Sequence, residues 1–195
     1  SFVRKWRTSE GKYVNPMIVD TSVLVDGRLI DIAKTGFLFG TLLILPSVVR
    51  ELHKLADSAD SARRKRGRRG LDELAQLRTV KTIKLEVLAR DVSGETVDGK
   101  LVAAAKKMRA KLLTVDYNLN KVAKVSRVTV LNLNELANAA KTVVLPGESL
   151  SVQITARGAQ RQQGVGYLAD GTMVVVEDGA ELAGKKTDVT VEKVL

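Results

Sequence analysis

Four acidic residues stand where their side chains could do metal chemistry. Asp20 and Asp116 each come directly after a short apolar run that predicts a buried strand. Glu51 lies one turn into a predicted helix, and Asp98 lies in the first turn of another. Two unit charges about 4 Å apart repel by about 4 kcal/mol at an effective dielectric near 20, so such acids cluster only around a cation. Mg²⁺ and Mn²⁺ prefer such hard oxygen ligands, and with one or two ions the acids could drive phosphodiester hydrolysis.

Each acid also has a purely structural interpretation. Asp and Glu are common near helix N-termini, where they cap the helix and complement its dipole. Asp98 fits that role, and Asp20 fits the role of a turn former. The spacing by itself therefore leaves a metal site and a set of local structural roles both open.

Other kinds of catalytic site find little support. The chain has no cysteine, which excludes disulfides and thiolate-bound metals. The single histidine, His53, lies two residues from Glu51, about 200° around a helix, so the two side chains point apart. This argues against a catalytic triad and a histidine-based zinc site. No glycine-rich loop of the Walker or dinucleotide type appears, and no second acid stands two positions after Asp20.

The elements that must position these acids alternate between strand and helix. Short apolar runs predict strands at 17–19, 41–45, 82–87, 112–115 and 127–131. Helical spacing predicts helices over 27–35, 70–78, 118–124 and 132–140, with others starting at Pro46 and after a Thr96 cap. Residues 58–70 are predicted to be a charged connection. This alternation predicts an α/β fold, a three-layer parallel sheet with helices on both faces, whose sites lie beyond the carboxyl ends of the strands.

The pattern changes at Pro146-Gly147. Short β-rich stretches at 149–155, 164–168, 172–177 and 187–194 follow, separated by Asp-Gly turns. They predict a small C-terminal antiparallel β-barrel or sandwich. The expected organisation is a basic tail at 1–15, an α/β domain at 16–143 and the barrel at 144–195.

The basic charge belongs to the first part of the chain. Of the net +10, residues 1–145 carry 27 basic against 15 acidic residues (+12), and residues 146–195 carry 5 against 7 (−2). Such a surplus attracts polyanions, nucleic acid or anionic lipid. Residues 63–69 hold six cations, which favour phosphate contacts over a merely solvated loop: Arg63, Arg64, Lys65, Arg66, Arg68 and Arg69. Arg157 and Arg161 are candidate nucleic-acid contacts in the barrel. Aromatic residues make up only 4%, so base stacking is not expected to be the main mode of binding.

The four acids lie within longer sequence stretches that resemble a known protein family. These are Ile18–Arg28, Glu51-Leu52, Arg66–Leu71, Val97–Leu101, Thr114–Ala123, Val144–Glu148 and Asp170–Gly179. The chain resembles PIN-domain nucleases, and more closely the proteins that join a PIN domain to an RNA-binding TRAM domain. The family's pattern departs at Val115, where many PIN domains carry Asn or Asp.

The resemblance implies Mg²⁺- or Mn²⁺-dependent cleavage of RNA, with DNA as the other substrate. It implies Asp20, Glu51, Asp98 and Asp116 as the catalytic and metal-binding acids. Ser22 would orient a metal-bound carboxylate or water, and three further residues would surround the site: Asp26, Thr114 and Asn118.

The resemblance also predicts the cellular location of the protein. Related bacterial proteins have membrane helices before the nuclease, so a cytoplasmic location at a membrane tether is expected. Arg4, Lys5 and Arg7 would then form a juxtamembrane stretch. The sequence itself contains no span: the most apolar run, 37–49, has 13 residues and includes Gly40 and Pro46, whereas a span needs about 20.

Two functions remain open from the sequence. The first is an active metal nuclease, which the complete set of acids favours. The second is a module that holds RNA or a nucleotide without cutting it, which Val115 favours. For the barrel, RNA binding stands beside homo-oligomer formation and substrate gating.

Overall fold

The computed structural model describes residues 13–194, so the expected basic tail at Arg4, Lys5 and Arg7 lies outside the described residues. The chain forms two compact units that divide between Leu136 and Ala137. Within the described residues, no helix is both long and apolar enough to cross a membrane.

The first unit is built on a parallel sheet with the strand order β3-β2-β1-β4-β5. Its strands are β1 (Met17–Val19), β2 (Gly40–Ile44), β3 (Ile83–Val87), β4 (Lys111–Thr114) and β5 (Val130–Asn132). All three residues of β1 are fully buried, because this central strand is covered on both faces. The predicted parallel α/β sheet is confirmed.

Helices connect the strands and cover the sheet. They are α1 (Thr21–Asp26), α2 (Leu29–Lys34), α3 (Pro46–Ala56), α4 (Ser61–Leu77), α5 (Val97–Met108), α6 (Tyr117–Val125) and α7 (Leu133–Ala139). Pro46 begins α3 as predicted, and the Thr96 hydroxyl caps α5 by accepting a bond from the Gly99 amide at 3.1 Å.

The direction of winding reverses at β1. The chain goes from β1 to β2 and β3 on one side, and then to β4 and β5 on the other. Loops that leave neighbouring parallel strands in opposite directions open a crevice beyond the strands' carboxyl ends. Asp20 follows β1 directly. Asp116 follows β4 after one intervening residue, Val115, instead of directly as predicted.

The expected charged connection at 58–70 is wrong, because α4 begins at Ser61. Asp60 caps the helix by accepting a bond from the Arg63 amide at 2.7 Å. Gly67 and Gly70 lie on the buried face, where a Cβ on Gly67 would stand 2.2 Å from the Ala56 nitrogen. The glycines therefore permit close packing on α3, and tertiary contact outweighs their low helix propensity.

The single helix expected over 27–35 is two helices. Gly27 adopts a left-handed conformation (φ 86°) that ends α1, and α2 starts two residues later. A distant residue satisfies one backbone amide in the first turn of α2: Glu73 of α4 accepts a bond from the Ile30 amide at 2.8 Å.

The second unit is an antiparallel sheet with the order β8-β7-β6-β9. Its strands are β6 (Ser149–Arg157), β7 (Gly164–Tyr167), β8 (Met173–Val176) and β9 (Lys186–Thr190). The antiparallel prediction is confirmed, but β8 and β9 form the two edges of the described sheet and do not pair, so the expected barrel is not closed by strand pairing. The core is small, with Val152, Ile154 and Val176 buried, and a 3₁₀ turn at Gly179–Leu182 was not predicted.

Candidate metal and nucleic-acid site

Asp20 is the buried acid of the crevice. Asp20 is 6% exposed. Its backbone amide extends the β1–β4 pairing by donating to the Leu113 carbonyl at 3.0 Å. The Ser22 hydroxyl and the Thr114 hydroxyl (2.8 Å) both donate to the same carboxylate oxygen, Oδ2. Burial raises the pKa of Asp20, the two hydroxyls oppose that shift, and the charge of Asp98 adds to it.

Thr114 links two of the acids. Its fully buried hydroxyl donates to Asp20 and accepts a bond from the Asp116 amide at 2.9 Å. The Asp116 carboxylate in turn accepts from the Leu119 amide at 2.7 Å and so caps α6. The end of β4 therefore fixes the backbone of Asp116 relative to the carboxylate of Asp20.

Glu51 reaches the same crevice from α3. The Thr21 hydroxyl, next to Asp20 in the chain, donates to Glu51 Oε2 at 2.6 Å. Thr21 was missed from the sequence, although its place after Asp20 at the end of β1 could have suggested a supporting role.

Asp98 connects the four acids electrostatically. Burial raises the pKa of Asp98 first, and the charges of Asp116 and Glu51 raise it further. Asp98 in turn raises the pKa of Asp20. Asp20 after β1, Glu51 of α3 and Asp116 at the β4–α6 junction therefore each lie within electrostatic range of Asp98.

These acids do not form a ready-made cage. Within residues 13–194, no three or more His, Cys, Asp or Glu side chains converge closely enough to hold a metal ion. Asp116 is engaged with its own helix and Glu51 with Thr21. The donor set nevertheless fits a divalent cation, because the influences that raise the pKa of Asp98 are burial and two further carboxylates, a repulsion that a cation would relieve.

The remaining predicted residues occupy different surroundings. Ser22 lies beside Asp20 and also accepts a bond from the Val115 amide at 3.2 Å, so Val115 contributes through its backbone. Asn118 is exposed in the first turn of α6. Asp26 forms an ion pair with Arg28, whose Nη2 lies 2.9 Å from Oδ2. The structure thus brings Ser22 and Thr114 to Asp20 and gives Asp26 a different partner.

The basic residues of α4 lie mostly at the surface. Arg69 Nη1 donates to the Asp26 carbonyl at 3.1 Å, and Arg64 Nη1 to the Ser58 carbonyl at 2.9 Å. Several of the cations line an open hollow of about 460 Å³ along α4, together with Asp72 and Glu73. A Cβ on Gly70 would stand 2.5 Å from Leu52, the residue after Glu51, so this helix packs directly beside the acid-bearing part of α3.

The C-terminal candidates flank a second hollow. Arg157 and Arg161 line a depression of about 590 Å³ together with residues of the 157–163 loop and of the 3₁₀ turn. Arg157 Nη2 lies 3.2 Å from Glu181 Oε1, so an acid already compensates part of the basic charge there.

Comparisons with known proteins agree with this architecture. Residues 143–195 match the TRAM domain family. The uncharacterized PIN and TRAM-domain containing protein YacL of Bacillus subtilis is 49% identical over 179 residues, which cover 91% of this chain and 49% of YacL. The similarly described protein slr1972 of Synechocystis sp. is 43% identical over 185 residues, covering 94% of this chain and 52% of that protein. The chain therefore spans about half the length of these relatives.

One solved structure shares the fold of the first unit. A domain of a functionally unknown protein from Methanocaldococcus jannaschii has a TM-score of 0.53 at 26% identity, covering 68% of this chain and 97% of that domain. Fold and comparisons together define the class of the molecule, a PIN-like α/β domain followed by a TRAM domain. Over more than nine-tenths of its length the chain is homologous to proteins described as PIN and TRAM-domain containing.

Proposed function

We propose that this protein is a divalent-metal-dependent nuclease that hydrolyses phosphodiester bonds, with RNA as the preferred substrate and DNA as the alternative. The observation that carries the proposal is the electrostatic coupling, through Asp98, of carboxylates from separate elements. Partial burial and then the charges of Asp116 and Glu51 raise the pKa of Asp98, and burial followed by the charge of Asp98 raises that of Asp20. Acids with raised pKa values gathered in one crevice are a functional-site signal.

Asp20, Glu51, Asp98 and Asp116 would hold Mg²⁺ or Mn²⁺. The bound ion would supply positive charge among the acids and the Lewis acidity that phosphodiester hydrolysis needs. Asp116 uses Oδ1 to cap α6 and Glu51 uses Oε2 to accept from Thr21, so the other oxygen of each carboxylate would bind the ion.

Ser22 and Thr114 would act by orienting Asp20. Both hydroxyls bind Oδ2, so the second carboxylate oxygen is the one directed to a cation. Groups that orient a metal ligand in this way increase the affinity of the site for the metal. Asp26 and Asn118 remain more distant candidates, with Asp26 acting through Arg28 and Arg69 on the packing of α1 against α4.

The cations of α4 would bind the substrate backbone. The helix packs on Leu52 of α3, so a strand lying along its arginines would run next to the helix that carries Glu51. Phosphate contacts of this kind tolerate any sequence and weaken with salt. The TRAM unit, through Arg157 and Arg161, would add a second contact with RNA.

The test is cleavage of labelled single-stranded RNA and DNA by the purified chain with Mn²⁺, Mg²⁺ or EDTA. We expect cleavage that needs the metal, and losses in Asp20→Asn and Asp116→Asn beyond the roughly 10- to 100-fold typical of groups that only support a ligand. The exposed Asp188→Asn in β9 is a matched control for the change of charge. Cleavage that persists in both site variants would refute the proposal.

A second function is favoured by two observations. Val115 cannot bind a metal through its side chain, and the acids of the described residues do not converge into a cage. In this alternative the chain binds RNA or a nucleotide without cutting it. Calorimetric titration with Mn²⁺ separates the two, because the binding module needs no cation and the nuclease does.

The resemblance also supports a proposal about location and assembly. We place the protein at the cytoplasmic face of a membrane, tethered by a segment preceding residue 1, and allow for a homo-oligomer. Fractionation of the full-length protein tests the tether, and light scattering of the present chain tests the assembly.

A further inference from the structure

Tyr117 is an exposed aromatic side chain at the edge of the acidic crevice. It is the first residue of α6, directly after Asp116, and is 66% exposed. Its backbone position is fixed, because the preceding Asp116 amide donates to Thr114 and the Asp116 carboxylate caps α6. The ring is therefore anchored one residue from an acid of the proposed metal site.

The ring is also held by a cation. Lys121 Nζ lies 4.4 Å from the centroid of the Tyr117 ring, one helical turn further along α6. With one face near the ammonium group and most of the side chain accessible, the ring offers a planar apolar surface of limited mobility. Lys121 is itself exposed and can reach a phosphate.

We propose that Tyr117 is a stacking platform for one base of single-stranded RNA, and that Lys121 contacts the phosphate beside that base. The inference rests on the proposed function, since it positions the substrate of that same site. A base stacked on this ring places its neighbouring phosphate next to Asp116. Stacking on an aromatic ring is tolerant of sequence because every base has a π face.

The low aromatic content of the chain does not oppose this role. Composition indicates that stacking is not the general mode of binding, whereas the proposal needs one ring at one place. The simpler role of Tyr117, an i,i+4 pair with Lys121 that stabilises α6, makes a different prediction. In that case any helix-compatible side chain at 117 would leave RNA binding unchanged.

The experiment measures binding of fluorescein-labelled single-stranded RNA by anisotropy in EDTA, which separates binding from metal-dependent cleavage. We expect Tyr117→Ala and Tyr117→Leu to weaken binding about tenfold and Tyr117→Phe to remain within about twofold. An RNA whose central nucleotides are abasic should bind the wild-type chain and Tyr117→Ala equally. Phe37→Ala is the matched control, because Phe37 is 86% exposed and precedes β2, so it lies at the amino ends of the strands, away from the acids beyond their carboxyl ends.

Crosslinking supplies an independent readout. RNA carrying 5-iodouridine crosslinks to an aromatic side chain stacked on the base, and peptide mapping should identify Tyr117. Unchanged affinity in Tyr117→Ala, an equal loss on the abasic RNA, an equal loss in Phe37→Ala or no binding of RNA at all would each overturn the inference. If the chain never cleaves RNA but the Tyr117 pattern holds, the nuclease proposal fails and the stacking site stands. If the chain cleaves RNA and the pattern is absent, only the stacking site fails.

Discussion

At the scale of single residues, the site depends on hydroxyl groups as much as on acids. Thr114 holds Asp20 and Asp116 in one hydrogen-bonded chain, and the Thr21 hydroxyl donates to Glu51. A buried carboxylate such as Asp20 needs such donors, because burial alone favours its neutral form. The hydroxyls therefore oppose the neutral form of Asp20 that burial favours.

Replacing Thr114 by Val tests this arrangement with little change of shape. The substitution removes a donor from Asp20 and leaves the Asp116 amide without its acceptor, so we expect a loss of about 1–3 kcal/mol in the free energy of unfolding. We also expect Mn²⁺ affinity to fall about 10- to 100-fold. Urea denaturation and calorimetric titration measure the two effects.

Thr114→Ser is the matched control, because it retains the hydroxyl group and loses only a methyl group. Its Mn²⁺ affinity should stay near that of the wild type. Equal Mn²⁺ affinity of the Val and Ser variants would show that the Thr114 hydroxyl does not orient Asp20.

At the scale of elements, the close pairing of α3 with α4 brings the basic helix to the acids. Gly67 faces the backbone at Leu55 and Ala56, and Gly70 faces Leu52. A larger side chain at either position would push the helices apart. The pairing therefore sets how closely the backbone of α4 approaches α3, the helix that carries Glu51.

Gly67→Ala is expected to destabilise the protein, although Ala is the better helix former by about 1 kcal/mol. The added Cβ would lie 2.2 Å from the Ala56 nitrogen, so the helices must separate at a cost of about 1–3 kcal/mol or more. Thermal unfolding measures the change. Lys65→Ala, at an exposed position of the same helix, should stay within about 0.5 kcal/mol of the wild type. A more stable Gly67→Ala would contradict the packing described.

In the second unit, Asp170 joins the incoming chain to a β-turn. Its carboxylate accepts bonds from the Thr142 amide at 2.6 Å and the Thr172 amide at 2.9 Å. The Thr142 amide is the largest of the influences that hold the pKa of Asp170 well below its usual range, followed by that of Thr172. Asp170 and Thr172 lie within the TRAM match at residues 143–195, and Thr142 directly precedes it.

The lowered pKa predicts how acid affects this unit. Because the folded state prefers the ionised carboxylate, its stabilisation is complete above the unfolded pKa of about 4 and is lost as the pH falls through the lower folded value. The protection factors of the Thr142 and Thr172 amides, which remove the intrinsic pH dependence of exchange, should therefore fall as the pH decreases below about 4. Asp170→Asn should exchange faster at neutral pH and lose this pH dependence, whereas Asp188→Asn should retain it.

At the scale of the whole molecule, the two units differ in charge and therefore in expected contribution to binding. The segment of the first unit, residues 1–136, carries 26 basic and 15 acidic residues, and the segment of the second, residues 137–195, carries 6 and 7. Long-range attraction of a polyanion must come mainly from the first of these segments. The TRAM unit, with a small core and a near-balanced charge, is suited to short-range contacts.

The salt dependence of RNA binding measures how much each unit contributes to the attraction of RNA. Neutralising exposed cations of α4 with Arg63→Gln, Arg66→Gln and Arg68→Gln should lower the slope of log K against log salt by about 0.7 for each phosphate of single-stranded RNA that these side chains neutralise. Arg157→Gln with Arg161→Gln is the comparison in the second unit, and it should change the slope less. A larger change from the TRAM pair would reverse the assignment of the main binding surface.

The amino-acid sequence alone specifies the alternation of strands and helices, the parallel sheet and the places of Asp20 and Asp116 near the carboxyl ends of β1 and β4. These features depend on apolar periodicity and on neighbours within a few residues, which the chain displays directly. The helical state of 61–70 depends on tertiary packing, because two glycines in a cationic run favour a helix only when α3 lies against them.

The chemistry around the acids likewise follows only from the fold. Thr114 lies 94 residues from Asp20 and Thr21 lies 30 from Glu51, and no local pattern encodes such pairings. Whether the edge strands β8 and β9 pair with each other is also a long-range property. The local pattern therefore predicted the strands but not that β8 and β9 remain unpaired edges of the sheet. Local sequence selects the elements, whereas the partners of buried polar groups are set by which elements pack together.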